Sequence, residues 1–134
     1  MASTELFPII NCRDIHELSR FYDEVFGATV SYQSPADGEP EFVVMRVGSS
    51  SLGIGIGTSE ALYGEVPLPA TGHAIDLCVY VDDLAATVRL ARGSGATIAV
   101  EPAEMPWGET VAYVTDPAGT LILVIENEPP TGSQ

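Results

Sequence analysis

Gly27-Ala28-Thr29-Val30 returns 68 positions later as Gly95-Ala96-Thr97-Ile98. Upstream of each copy the match continues. Asp14-Ile15 corresponds to Asp83-Leu84 and Arg20-Phe21 to Arg89-Leu90, now at a spacing of 69. One residue is therefore gained or lost in the helix or at its exit. Self-similarity at a fixed period means that the chain is built from repeated units. The sequence reads as one domain, 1–134, made of a module 1–58, a linker 59–71, a module 72–128 and a polar tail 129–134. The linker holds Gly64, Pro67 and Pro69, all breakers of regular structure.

Each module spells the same order of elements. In the first, Leu6 to Cys12 is a short apolar strand candidate. Asp14 is placed to cap a helix, with Glu17 three residues on. Ile15, Leu18, Phe21, Tyr22 and Val25 then fall on one helical face, and Gly27 ends the helix. Strands are predicted over Val30 to Gln33, Phe42 to Val47 and Leu52 to Gly57. In the second, a strand over Ala74 to Val81 leads to a helix from Asp83 to Arg92. Strands follow over Ile98 to Val100, Thr110 to Thr115 and Leu121 to Glu126, with Pro102 to Gly108 as a loop. Asp116-Pro117-Ala118-Gly119 is a turn with proline at its second position. The fold class is α+β: two βαβββ modules forming a curved mixed sheet around a cleft. Residues 10, 77, 79, 122 and 124 suit the helix-covered face. The opposite parity is also largely apolar and needs a cover: the other module, a partner chain or a ligand.

Composition excludes several functions. Nineteen Asp and Glu face five Arg and no Lys, for a net charge of −14. A phosphate-backbone binder needs cations to displace counterions, so nucleic acid is not an expected partner. Anionic membranes are disfavoured for the same reason. No apolar run approaches the roughly 20 residues that span a bilayer. Two cysteines, Cys12 and Cys78, make no disulfide framework and no CxxC. With no basic start and apolar core at the N-terminus, a cytoplasmic location is expected.

The duplicated βαβββ pattern, together with Arg13-Asp14-Ile15 leading to Phe21-Tyr22 and Phe26-Gly27, resembles the vicinal oxygen chelate superfamily of glyoxalases, bleomycin-resistance proteins and dioxygenases. Pro106-Trp107-Gly108 leading to Asp116-Pro117-Ala118-Gly119 is especially similar to bleomycin-resistance-type binding proteins. The metalloenzymes of that superfamily carry His, Glu or Gln at four strand positions facing the cleft. Carried over through the turn and helix anchors, those positions fall on Phe7, Gly55, Asp76 and Leu123. A divalent metal needs about three suitable protein ligands, and this set offers one carboxylate. His73 has the wrong parity for the cleft and His16 lies in a helix. No metal and no other cofactor is expected, and no catalytic residue is assigned.

The cleft itself suggests a ligand. Gly53, Gly55 and Gly57 share one parity, which would strip side chains from part of the floor. Trp107 stands between Pro106 and Gly108 as either a lid on the core or a stacking wall. Phe7, Tyr32, Phe42, Tyr80, Tyr113 and Leu123 supply further apolar surface, and Tyr63 a flap from the linker. Asp76 reads as a strand carboxylate paired with Arg46 or contacting a cationic ligand. Glu104 and Glu109 flank the tryptophan. The ligand-binding set is thus Phe7, Tyr32, Phe42, Gly53, Gly55, Asp76, Tyr80, Trp107, Tyr113 and Leu123. What the resemblance implies is a metal-free binding protein that sequesters a bulky cationic or polycyclic antibiotic, as a homodimer with clefts at the interface. The alternative is a metal-free isomerase, cyclase or lyase of natural-product metabolism with Asp76 as acid or base.

Overall fold

A computed structural model describes residues 5–56 and 75–128. The linker with Tyr63, His73 ahead of the second module's first strand, the last strand glycine Gly57 and the polar tail lie outside the described residues. The first module is β1 (Ile9–Asn11), α1 (Ile15–Phe26), β2 (Thr29–Ser34), β3 (Phe42–Val47) and β4 (Ser50–Gly55). The second is β5 (Leu77–Val81), α2 (Leu84–Gly93), β6 (Thr97–Glu104), β7 (Thr110–Thr115) and β8 (Leu121–Glu126). Two four-stranded mixed sheets result, in the orders β1-β4-β3-β2 and β5-β8-β7-β6. In each, the first strand pairs parallel with the last and the others pair antiparallel.

Both helices start by the same device. The Asp14 carboxylate accepts from Glu17 N at 3.0 Å and the Asp83 carboxylate from Ala86 N at 3.0 Å. Each satisfies an amide that the first helical turn leaves without a partner. Gly27, at φ 70°, closes α1 in the left-handed region. The buried face of α1 is Ile15, Leu18, Phe21, Tyr22 and Val25, as its periodicity predicts. The inner sheet positions Ile54, Ile122 and Val124 are fully buried, with Ile10, Leu77 and Val79 packed at the margin. Both helices and both inner sheet faces contribute to one shared core.

One polar link crosses that core. Tyr22 of α1 donates its hydroxyl to Asp116 Oδ2 at 2.7 Å, and both residues are buried. Asp116 Oδ1 also accepts from Ala118 N and Thr120 N, each at 2.9 Å, so the carboxylate shapes its own turn. Burial and the neighbouring carboxylate push the Tyr22 phenol well above its ordinary value.

Several boundaries differ from the sequence reading. β1 is confined to Ile9–Asn11 rather than Leu6 to Cys12, and β4 begins at Ser50 rather than Leu52. β5 begins at Leu77 rather than Ala74 among the described residues, so Asp76 stands ahead of the strand. β4 stops at Gly55, and Ile56 is exposed instead of sharing the buried face of Ile54. β6 extends to Glu104, through the segment expected to be a loop. Pro102 is tolerated there because β6 is an edge strand and the register slips between Val100 and Ala103.

Strand pairing also refines the internal repeat. Met45 pairs with Leu52, and Val114 with Ile122. Ile9 pairs with Gly53, and Cys78 with Leu123. The spacing between modules is therefore 69 in the first and third strands and 70 in the fourth. The extra residue enters at the hairpins, where Gly48-Ser49 between Val47 and Ser50 answers 117–119 between Asp116 and Thr120.

Candidate functional site

The outward sheet faces carry the candidate site. In the first module one row across the sheet runs Ile9, Gly53, Val44 and Tyr32, and the next Asn11, Gly55, Phe42 and Ser34. In the second the rows run Cys78, Leu123, Tyr113 and Val100, then Tyr80, Ile125, Val111 and Ala103. Alternation along each strand brings these residues to one face. Tyr32 and Phe42 form an aromatic pair with ring centroids 6.3 Å apart. Leu123 and Tyr113 are direct cross-strand neighbours. Phe7, Ile9, Tyr32, Tyr80 and Val100 remain exposed in the single chain, an apolar surface without a cover among the described residues.

The glycine floor is partly occupied. A Cβ built on Gly53 would stand 2.9 Å from Ile9 Cγ1 and 3.2 Å from Phe42 Cε1. Gly53 is thus the seat of two side chains of its own sheet, which corrects the reading of bare floor at that position. Gly55 is buried at the end of the strand. The register also moves one superfamily position: the strand partner of Cys78 is Leu123, so its counterpart in the first module is Gly53, not Gly55. The substitution is glycine for glycine. The four positions still offer a single oxygen donor, and they do not fit a divalent metal. Among the described residues no three His, Cys, Asp or Glu side chains gather as a metal site.

Asp76 departs from expectation in its setting. It is exposed, and Arg46 reaches the Ser49 carbonyl at 3.3 Å instead. Trp107 is 68% exposed, so it is no lid on the core. It sits at the tip of the β6–β7 hairpin, whose turn is closed by Met105 N to Glu109 O at 2.7 Å and carries Gly108 at φ 102°. The indole N–H donates to Glu109 Oε1 at 2.7 Å, which fixes the ring over the hairpin. Glu104, at the end of β6, is exposed. His16 lies on the exposed side of α1 beside Glu39, at 2.9 Å.

One feature escaped the sequence reading. A groove of about 660 Å³ opens between the modules. One wall is Tyr22, Val25 and Phe26 of α1 with Val47, Ser50 and Leu52 of the β3–β4 hairpin. The other is the whole of β5, continuing to Asp82 and Asn127. Tyr80 is the one expected ligand residue that lines it. The volume falls in the range of small-molecule sites. Burial raises the Cys78 thiol above its ordinary value, and Glu109 and Asp76 add to the rise. The groove depends on how the modules pack, which no local pattern reveals.

A family model described as Glyoxalase/Bleomycin resistance protein/Dioxygenase superfamily matches residues 5–124. The chain is 29% identical over 109 residues to "Putative glyoxylase CFP32" of Mycobacterium bovis, a match covering 81% of this chain and 38% of that protein. The chain thus spans well under half the length of this curated relative. Among solved structures, a glyoxalase/bleomycin resistance protein/dioxygenase family enzyme from Burkholderia phytofirmans PsJN superposes with TM-score 0.70 at 23% identity, covering 90% of this chain and 95% of that one. A bleomycin resistance determinant encoded on the transposon Tn5 superposes with TM-score 0.61 at 21% identity, covering 95% and 100%. At these identities the structures establish a shared fold. Among the described residues no helix is long and apolar enough to cross a membrane.

Proposed function

The chain belongs to the glyoxalase/bleomycin resistance protein/dioxygenase superfamily, and from that membership we propose that it is a metal-free small-molecule binding protein that sequesters a bulky cationic or polycyclic antibiotic. The observation that carries the reading is the outward face of the two sheets. It presents Phe7, Tyr32, Tyr80 and Val100 to solvent, on the same face as the four superfamily positions carried over to this chain. Exposed apolar surface of this extent marks a binding face. Stacking on Tyr32, Phe42 and Trp107 and burial against Leu123 and Tyr113 would supply affinity. The net charge of −14 would draw a cation toward the protein. Two copies would cover each other's sheet faces, giving a homodimer with a cleft on each side.

An acid–base enzyme built on Asp76 finds less support. Such a role draws on a carboxyl held in apolar surroundings, and Asp76 is exposed.

Trp107 is the sole tryptophan, so its fluorescence is a local reporter. Titration with glycopeptide, enediyne-type and polycyclic antibiotics tests the reading. Saturable change with the ligand recovered unaltered is expected. Chemical alteration of the ligand would replace sequestration with catalysis. Absence of any response across the panel would overturn the antibiotic reading.

A further inference from the structure

The groove between the modules has a property that the sheet faces lack: one wall is the free edge of a strand. β5 pairs with β8 on one side only among the described residues, and every residue from Leu77 to Val81 lines the groove. In a parallel pair, alternate residues turn both backbone groups toward the neighbour, and those between turn both away. Val81 O accepts from Asn127 N at 2.7 Å, which assigns Leu77, Val79 and Val81 to the β8 side. Cys78 and Tyr80 therefore present N–H and C=O to the groove. An edge of this kind accepts an extended chain as an added strand.

The rest of the lining narrows the occupant. Phe26, Val47 and Leu52 offer apolar surface opposite the edge. Among the described residues the lining holds no Arg, Lys or His, and its one carboxylate is Asp82, exposed and bonded to Asn127 Nδ2 at 2.8 Å. Five strand residues extend over roughly 17 Å, the length of a short peptide. The geometry points to an extended, amide-bearing cationic ligand, a short peptide or peptide-like natural product, that adds to the edge of β5 through the backbone of Cys78 and Tyr80 with its cation toward Asp82. This rests on the ligand-binding reading above and names the ligand class.

The probe is a fluorescein-labelled pentapeptide amide alternating lysine and valine, followed by fluorescence polarisation at physiological salt. A second probe of identical charge and side chains is N-methylated at the amides that would face β5. Saturable binding of the first is expected, with the N-methylated probe weaker by about tenfold for one lost hydrogen bond. Cys78→Pro deletes an N–H that β8 does not use, so the ladder survives, and proline is tolerated at such edge positions. Relative to Cys78→Ala it should weaken the probe by about tenfold. Asp82→Asn should weaken it by about threefold. Circular dichroism checks that each variant is folded; if Cys78→Pro is not, the N-methyl comparison on the unaltered protein decides. No saturable binding overturns the proposal, and so does equal binding of both probes, which would reduce the groove to an apolar cation site. Dimerisation abolished by Cys78→Pro and by excess peptide would also overturn it, assigning the edge to a second copy. Trp107 titration with the antibiotic panel on the same protein separates the two readings. A panel response without peptide binding removes the edge proposal alone.

Discussion

The hydroxyl of Tyr22 and the carboxylate of Asp116 meet at 2.7 Å inside the core, 94 residues apart in sequence. This bond ties the helix of one module to a turn of the other. Removing the carboxylate strands the phenol and two turn amides at once, whereas removing the hydroxyl leaves Asp116 its two backbone donors. A buried polar group left unpaired costs about 1–3 kcal/mol. Asp116→Ala should therefore destabilise by about 3 kcal/mol or more and Tyr22→Phe by about 1 kcal/mol. Urea unfolding of the two variants and their double mutant measures the coupling.

The same bond sets an alkaline limit. The Tyr22 phenol is held above its ordinary value of 10.0 in the folded state. Its contribution is full below that value, and it declines as pH rises above it, because only the unfolded chain readily loses the proton. The decline is about 1.4 kcal/mol per pH unit. Tyr22→Phe should remove this component, so the stability gap between the two proteins should narrow above pH 10. Denaturant midpoints taken from pH 8 upward test it.

Gly53 seats Ile9 and Phe42, and a larger residue there has to displace them. Gly53→Val should cost about 1–3 kcal/mol, the range for overpacking. Adding Ile9→Ala to that variant should restore part of the loss. Thermal unfolding of the single and double variants reads both effects.

Trp107 touches no core residue through its indole N–H, which is spent on Glu109. Trp107→Phe should change stability by less than about 0.5 kcal/mol. Its emission in the native protein should be that of a solvated indole and readily quenched by acrylamide. Ligand binding that depends on stacking there should fall without loss of fold.

The helix caps offer a matched pair. Asp14→Ala and Asp83→Ala each remove one acceptor at the same 3.0 Å spacing. Each should cost about 1 kcal/mol. Unequal losses would show that the two helix starts differ in how far the rest of the fold supports them.

Local chemistry carried most of the fold. Asp14 as a cap, the Ile15 to Val25 stripe and the Asp116 turn are each written within a few neighbouring residues, so the order of elements was legible, while Asp83, read as the first residue of its helix, proves to be its cap. Register was not. The glycine opposite Val44 is Gly53 because two residues separate Val47 from Ser50 where three separate the equivalent Asp116 and Thr120. Spacing counted along the chain cannot see that difference. The setting of Asp76 was misread because β5 starts one residue beyond it. The groove was invisible since its walls, α1, the β3–β4 hairpin and β5, come together only through long-range packing.

The two halves share a pattern but not a handshake. At the repeat spacing of 69, the counterpart of Tyr22 is Ala91, which has no hydroxyl to give. At the same spacing the counterpart of Asp116 is Val47, which has no carboxylate to receive one. The clasp can therefore form in one sense only, from the first helix to the second hairpin. A chain assembled from two copies of either half would lack it. The two halves are therefore not interchangeable: the first holds the donor and the second the acceptor.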